Sequence, residues 1–302
     1  MQAEVRERYS LERLDPLDAL PLAKRPVLML GTMAYAVSNK LLDDKLTRGL
    51  YHFFLDPAFS WDERERFLRY MGAVFEAYVS ELLGRVYPPQ SGRYIGEPVL
   101  RQRIPDKKCD GLILFGDSMV LVECKATLFS HDVRTARNWE AFRRVREDVV
   151  LDGADQLSAT IDAIIAGALR GEGVDPGFIH SYLPVVITHE DVGMVRPLHR
   201  MVLGEVAGRN LLSQAGVLPL QVVSIGELEA LEEDLHAGQS LQRLLAEKTA
   251  EEDWCTESLR NYCFARRPDL MRGRNAHLLD RFEELANEAL AFFRERDIPE
   301  VM

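Results

Sequence analysis

The pattern of apolar and polar positions first indicates a long helix that begins at Ser60. From Phe67 to Leu82 the apolar residues recur at intervals of three and four, which places them on one face of an α-helix. Ser60 followed three positions later by Glu63 is the sequence signature of a helix N-terminus. The pattern therefore predicts a helix from Ser60 to about Leu83.

A pattern typical of strands follows. Residues 94–104 alternate loosely between apolar and polar, and residues 111–115 and 119–125 are two mainly apolar runs. The short polar segment 116–118 between these runs is a turn signal. Because so short a turn joins only antiparallel neighbours, the two runs are predicted to form a hairpin.

The rest of the chain predicts an α/β arrangement with helical ends. Residues 133–170 have a helical pattern with a break near Gly153, and residues 183–188 and 220–225 are typical of buried strands. A helix is predicted at 227–235, and the pattern from about residue 241 is again helical. We expect three parts: a helical N-terminal extension (1–59), an α/β core (60–235) and a helical C-terminal region (236–302).

Composition limits the class of protein. The chain has 302 residues, of which 47% are hydrophobic and 28% charged, as in a globular protein. The four cysteines show no zinc-binding spacing and suit a reducing compartment. No apolar run is long enough to cross a bilayer and no leader pattern opens the sequence, so we expect a cytoplasmic protein without a membrane partner. The net charge of −11 argues against a uniformly basic surface that coats nucleic acid.

The predicted hairpin brings together three charged residues. A turn centred on residues 116 and 117 places Asp110 directly opposite Glu123, and Lys125 lies on the same face because side chains two apart on a strand point the same way. Two carboxylates this close need a shared proton or a divalent cation. Mg²⁺ suits the pair because it accepts one or two carboxylates and retains several waters.

An ordinary ion pair on a solvated strand face is the alternative interpretation of Glu123 and Lys125. The neighbouring positions favour a buried site, because residues 119–122 and Cys124 are all apolar. Buried charges are usually paired or bound to metal.

A predicted helix that carries Glu76 precedes Asp110, and Glu123-Cys124-Lys125 follows Asp110 after a gap of twelve residues. This arrangement resembles the PD-(D/E)XK nuclease superfamily. The resemblance implies a restriction-endonuclease-like core, a mixed central β-sheet flanked by helices. It implies that Asp110, Glu123 and Glu76 hold Mg²⁺ or Mn²⁺ and that Lys125 handles the attacking water. Gln156, on the helix after the lysine strand, is the match to a side chain that many relatives present to the site. For Glu76 and Gln156, a solvated helix position is the alternative.

The expected function is metal-dependent hydrolysis of phosphodiester bonds, with DNA as the substrate. Between residues 125 and 146 there are six basic and two acidic residues. Four arginines of this segment are candidate phosphate contacts: Arg134, Arg137, Arg143 and Arg144. A solvated helix face would have the same pattern and is the alternative. An enzyme that cuts both strands would favour a homodimer. The family's roles include restriction, repair and defence against mobile DNA, so the site does not fix a biological role.

Two other functions stay open at this point. A relative that has lost catalysis would use the same fold to bind nucleic acid or protein, but the intact Asp110, Glu123 and Lys125 speak against that loss. An unrelated α/β protein would carry these charges as exposed, separated groups.

Overall fold

The computed structural model describes residues 27–30, 33–39, 53–56, 58–88, 93–104, 109–128, 147–190 and 196–294, and the single positions 42, 49, 51, 140 and 143. The chain divides into two compact units. One comprises Met1–Met71 with Leu128–Trp139, and the other comprises Gly72–Thr127 with Glu140–Met302. The three-part organisation expected from the sequence stays a prediction.

Among its described residues, the first unit contains two strands where the sequence predicted a helical extension. Val27–Leu30 (β1) and Met33–Ala36 (β2) pair in antiparallel register, with Val27 opposite Ala36. The helical expectation is therefore wrong for these residues, because two apolar runs only two residues apart can form a hairpin. Helical residues do occur farther along the same segment, at positions 39, 42, 49, 51, 53 and 54.

The long helix predicted from Ser60 is confirmed as Trp61–Val86 (α1). At its start the Ser60 amide donates to Glu63 Oε2 at 2.8 Å, and the Glu63 amide donates to Ser60 Oγ at 3.3 Å. These reciprocal bonds form the capping box that the sequence indicated. The buried residues of α1 lie on one face in its second half: Phe75, Val79, Leu82, Leu83 and Val86.

The second unit is built on a five-stranded mixed sheet flanked by helices, which confirms the α/β class. Its strands are Arg93–Gly96 (β3), Gly111–Phe115 (β4), Ser118–Lys125 (β5), Ser181–Thr188 (β6) and Gln221–Ser224 (β7), in that spatial order. β3, β4 and β5 pair antiparallel, whereas β5, β6 and β7 pair parallel. β5 is therefore the strand at which the sheet changes direction.

Residues 94–104, which alternate loosely, are only partly strand. β3 ends at Gly96, and Glu97–Arg103 (α2) is a helix with Pro98 in its first turn. Proline has the φ angle of a helix and lacks an amide that the first turn leaves unpaired anyway, so it favours a helix start here. The strand-type expectation is wrong from Glu97 onwards.

The helix expected at 133–170 takes a different form in the described residues. Asp152–Ile165 (α3) is a continuous helix that follows a π-helical turn, Glu147–Leu151. The break expected near Gly153 corresponds to the π-helical turn, a departure from regular α-helix that ends at Leu151. Gly153 itself lies inside α3.

Of the remaining helices, Arg196–Gly208 has no counterpart in the predicted patterns, and the others agree with the patterns at 227–235 and beyond 241. In chain order the remaining helices are Arg196–Gly208 (α4), Ile225–His236 (α5), Leu241–Ala250 (α6), Glu252–Cys255 (α7), Leu259–Arg266 (α8) and Ala276–Arg294 (α9). Among the described residues, no helix combines the length and apolar character needed to span a bilayer.

Both faces of the sheet are covered. Val120, Val122 and Cys124 of β5 belong to one buried cluster, which includes residues of α1, α5, α6 and α8. Met119 and Leu121 belong to the other, which includes residues of α2, α3 and α4. By the same alternation, Glu123 and Lys125 lie on the face of β5 covered by α3.

Glu227 provides a test of helix capping in the core. It is buried, and its carboxylate accepts bonds from the Ser224 amide and the Arg260 amide, both at 2.8 Å, near the starts of α5 and α8. Because both amides lose a charged acceptor, Glu227→Ala is expected to lower the free energy of unfolding by about 2–4 kcal/mol in urea titrations. Glu63→Ala, the same change in the exposed capping box of α1, should cost less. Equal losses would contradict this account.

Candidate active site

Glu123 and Lys125 form a buried pair at the end of β5. Lys125 Nζ lies 3.0 Å from Glu123 Oε1, and their side chains are 17% and 4% exposed. Lys125 Nζ also donates to Gln156 Oε1 of α3 at 3.3 Å. The pair is therefore not the solvated ion pair of the alternative interpretation, and Gln156 is in contact with Lys125.

Asp110 is fixed beside this pair by the backbone of β5. The predicted hairpin register is confirmed, with Gly111 opposite Val122. Asp110 lies one residue before β4, and its amide donates to the Val122 carbonyl at 3.0 Å. Its Oδ2 accepts a bond from the Cys124 amide at 2.7 Å. The Asp110 carboxylate thus accepts a bond that a backbone carbonyl of a neighbouring strand would otherwise accept. It does so at the end of the β4–β5 pairing, next to Glu123.

Glu76 of α1 belongs to the same electrostatic cluster. Burial is the main cause that raises the pKa of Glu76 to about 7, and the Asp110 carboxylate is the next. Burial and then Asp110 raise the pKa of Glu123 to about 8, and burial raises the pKa of Asp110 as well. Glu76 therefore lies within electrostatic range of the adjacent Asp110 and Glu123, and each of the three carboxyl groups holds its proton more tightly than a free one does.

The donor set fits a hard divalent cation. Glu123 Oε2 is buried and accepts no hydrogen bond in the described structure, although its other oxygen meets Lys125. A buried carboxylate oxygen without a partner costs free energy, which a bound cation would recover. Within the described ranges, no three His, Cys, Asp or Glu side chains already form a ligand cluster. Mg²⁺ does not require one, because one or two carboxylates with water suffice.

Gly153 of α3 is a site residue whose role could not be predicted from the sequence, where it only marks a break nearby. A Cβ at this position would lie 2.7 Å from Val186 Cγ2, 3.4 Å from Glu123 Cγ and 3.6 Å from Lys125 Cε. Glycine thus lets the helix backbone approach the two catalytic candidates closely. The available signal was a glycine in a helical pattern, a residue that permits close packing against a neighbouring element as well as marking a helix end.

Glu97 is a second missed residue. The carboxylate of Glu97, at the start of α2, raises the pKa of both Glu76 and Asp110, and it accepts a bond from Arg101 Nε at 2.8 Å. It brings a fourth acid to the site and, with Arg101, a neighbouring cation. Its role could not be predicted from the sequence, because the residues around Glu97 have the pattern of a strand and lie outside the Asp110 to Lys125 segment.

The predicted phosphate contacts are mostly outside the described residues. Arg134, Arg137 and Arg144 fall there, and Arg143 is described only as an exposed helical position. Their role as nucleic-acid contacts stays a prediction.

In comparisons with known proteins, no family model matches the chain, and no curated protein or solved structure is significantly similar to it. Any function assigned to the site therefore depends on its own chemistry.

Gly153→Ala tests the close approach of α3. The added methyl group meets a stiff, buried valine, so the change is expected to cost about 1–3 kcal/mol of unfolding free energy. Val186→Ala removes the clashing atom, and a double-mutant cycle should show a favourable coupling of at least about 1 kcal/mol. Gly204→Ala in α4 is the matched control. Its Cβ would meet nothing within 4 Å, so it should be neutral or slightly stabilising. Additive losses at 153 and 186 would contradict the clash.

Glu123→Gln tests the buried charge. An unfolded glutamate loses its proton near pH 4.5, whereas folded Glu123 keeps its proton to about pH 8. Native stability therefore falls as pH rises through this window, and the penalty is complete above pH 8. The variant cannot ionise, so its metal-free melting temperature should exceed that of the wild type by at least about 3 °C at pH 8.5, with no gain near pH 4.

Adding Mg²⁺ should reverse this order. It should stabilise the wild type and have little effect on Glu123→Gln, with NaCl of equal ionic strength as the control. A difference between the two proteins that does not change with pH would rule out a buried ionised Glu123 as the cause.

Proposed function

We propose that the protein is a metal-dependent nuclease of the PD-(D/E)XK type with a restriction-endonuclease-like core, and that it hydrolyses phosphodiester bonds of DNA. The observation that carries the proposal is the buried Glu123, whose Oε2 has no hydrogen-bond partner, beside Asp110 and in contact with Lys125. A surface ion pair would need neither burial nor a second acid. The parallel and antiparallel strands that meet at β5 and the helices on both faces are consistent with the core of that family.

Asp110 and Glu123 would hold Mg²⁺ or Mn²⁺. Glu76 of α1 forms no three-acid ligand cluster with them among the described residues, so it would meet the cation through a coordinated water. Once bound, the cation supplies positive charge to a phosphate oxygen and makes a coordinated water more acidic. Both acids have raised pKa values without a cation, so a bound cation would have to displace protons below about pH 8.

In the proposed reaction, the ammonium group of Lys125 positions the attacking water or a phosphate oxygen. Two acceptors, Glu123 Oε1 and Gln156 Oε1, engage its ammonium group and fix its direction. The third N–H is left to donate to the attacking water or to a phosphate oxygen, whose charge it offsets. Gln156 acts through Lys125 by restricting where Nζ lies.

Glu76 is suited to receive a proton. With a pKa near 7 it is partly ionised at neutral pH, so it can accept the proton that the attacking water loses. In the balanced reaction the water oxygen bonds to phosphorus, one P–O bond breaks, and the leaving oxygen takes up a proton from solvent.

The test is cleavage of linear, circular and single-stranded DNA and of RNA, with Mg²⁺, with Mn²⁺ and with EDTA. Wild type is expected to cut DNA only with a divalent cation, and cleavage of circular DNA would identify an endonuclease. Asp110→Asn and Lys125→Met preserve shape and should each reduce the rate by at least about 10²-fold. Glu247→Gln, which alters the exposed pair with Arg243 on α6, is the matched control and should cut like the wild type.

Two results would overturn the proposal. A wild-type protein that cuts none of these substrates has no such activity on them, and variants that cut as fast as the wild type place the chemistry elsewhere. DNA binding without cleavage would instead favour the non-catalytic relative.

A further inference from the structure

Thr160 of α3 connects the site to the backbone that carries Asp110. Its side chain is fully buried, and its hydroxyl donates to the Gln156 carbonyl at 2.8 Å. The same oxygen accepts a bond from the Cys109 amide, also at 2.8 Å. The bond to the helix carbonyl is common for threonine. The bond to Cys109 is different, because it reaches a separate segment of the chain.

Asp110 is held from both sides as a result. The amide before it, that of Cys109, bonds to α3, and its own amide bonds to Val122 of β5. With both amides fixed, the backbone at Asp110 has little freedom to turn. The carboxylate is then directed at the Cys124 amide and accepts a hydrogen bond from it at 2.7 Å.

The same helix also sets the position of Lys125. The side chain of Gln156 accepts the bond from Lys125 Nζ, while its backbone carbonyl accepts the bond from the Thr160 hydroxyl. Residues 153, 156 and 160 are spaced by three and four, so they share one face of α3. That face contacts the Glu123 and Lys125 stems through Gly153 and the Asp110 segment through Thr160.

We propose that Thr160 is a positioning residue, which fixes the Asp110 carboxylate relative to Glu123 and Lys125 through the Cys109 amide. The effect of Thr160 on catalysis rests on the proposed function. Its effect on the position of the Asp110 carboxylate does not. The hydroxyl touches neither metal nor substrate and acts through the backbone.

Thr160→Val removes the hydroxyl and keeps the shape of the side chain, whereas Thr160→Ser keeps the hydroxyl. Amide hydrogen exchange of Cys124, followed by NMR, reports on Asp110 because its carboxylate is the acceptor of that amide. Thr160→Val should speed this exchange by at least about tenfold. It should weaken Mg²⁺ binding, measured by calorimetry without DNA, by about 10–100-fold and slow cleavage by at least about tenfold.

Thr160→Ser should remain within about threefold of the wild type in all three measurements, because one hydroxyl can still make both bonds. Thr249→Val is the matched control. The hydroxyl of Thr249 donates to the carbonyl of Ala246 on its own helix, α6, so its loss should leave Cys124 exchange, Mg²⁺ affinity and cleavage unchanged.

Unchanged Cys124 exchange and Mg²⁺ affinity in a folded Thr160→Val protein would overturn the inference, even if its melting temperature falls. If the valine variant does not fold, Thr160→Ala takes its place, with the same deciding outcomes. Failure of the proposed function gives a different result. The wild type then neither binds Mg²⁺ nor cuts DNA, while Thr160→Val still speeds exchange of the Cys124 amide.

Discussion

The arrangement of the second unit depends on one electrostatic constraint, the burial of Glu123 beside Asp110 with one ammonium group in direct contact. Like charges this close in a desolvated place destabilise a fold unless other groups compensate. Lys125 compensates one oxygen of Glu123, and the Cys124 amide compensates Asp110. Glu123 Oε2 is left without a partner. A protein selected for stability alone would gain from an apolar pair here, so the residual cost of burying these acids points to a use for the carboxyl groups.

The sheet and α3 together determine where that charge can lie. Glu123 and Lys125 are at the carboxyl end of β5, between an antiparallel and a parallel neighbour. In α/β sheets, ligands commonly bind outside the carboxyl ends of the strands. α3 covers this end of β5, and its approach is close because Gly153 lacks a side chain. Glu76 of α1 lies within electrostatic range of the same acids.

Local physics made much of this predictable from the sequence. The tight turn at residues 116 and 117 fixes the register of the hairpin, and the register alone brings Asp110 close to Glu123. The capping signature at Ser60 likewise identifies the start of α1. What could not be predicted depends on contacts between distant segments. Nothing local shows that the glycine in α3 contacts β6, or that the helix starting at Glu97 brings a fourth acid to the site. The β1 and β2 hairpin was missed for another reason, since short apolar runs suit helix and strand equally.

The short loop between β4 and β5 also affects how the molecule folds. Asp110, Glu123 and Lys125 lie within sixteen positions of one another, so their contacts have low sequence separation and can form in microseconds. The groups of α3 that support them arrive later along the chain, and β6 and β7 later still. Contacts this local can form before α3 packs on the sheet, while the carboxylates are still hydrated and water screens their repulsion. On that route the desolvation cost of the site falls on the packing of α3 rather than on the turn.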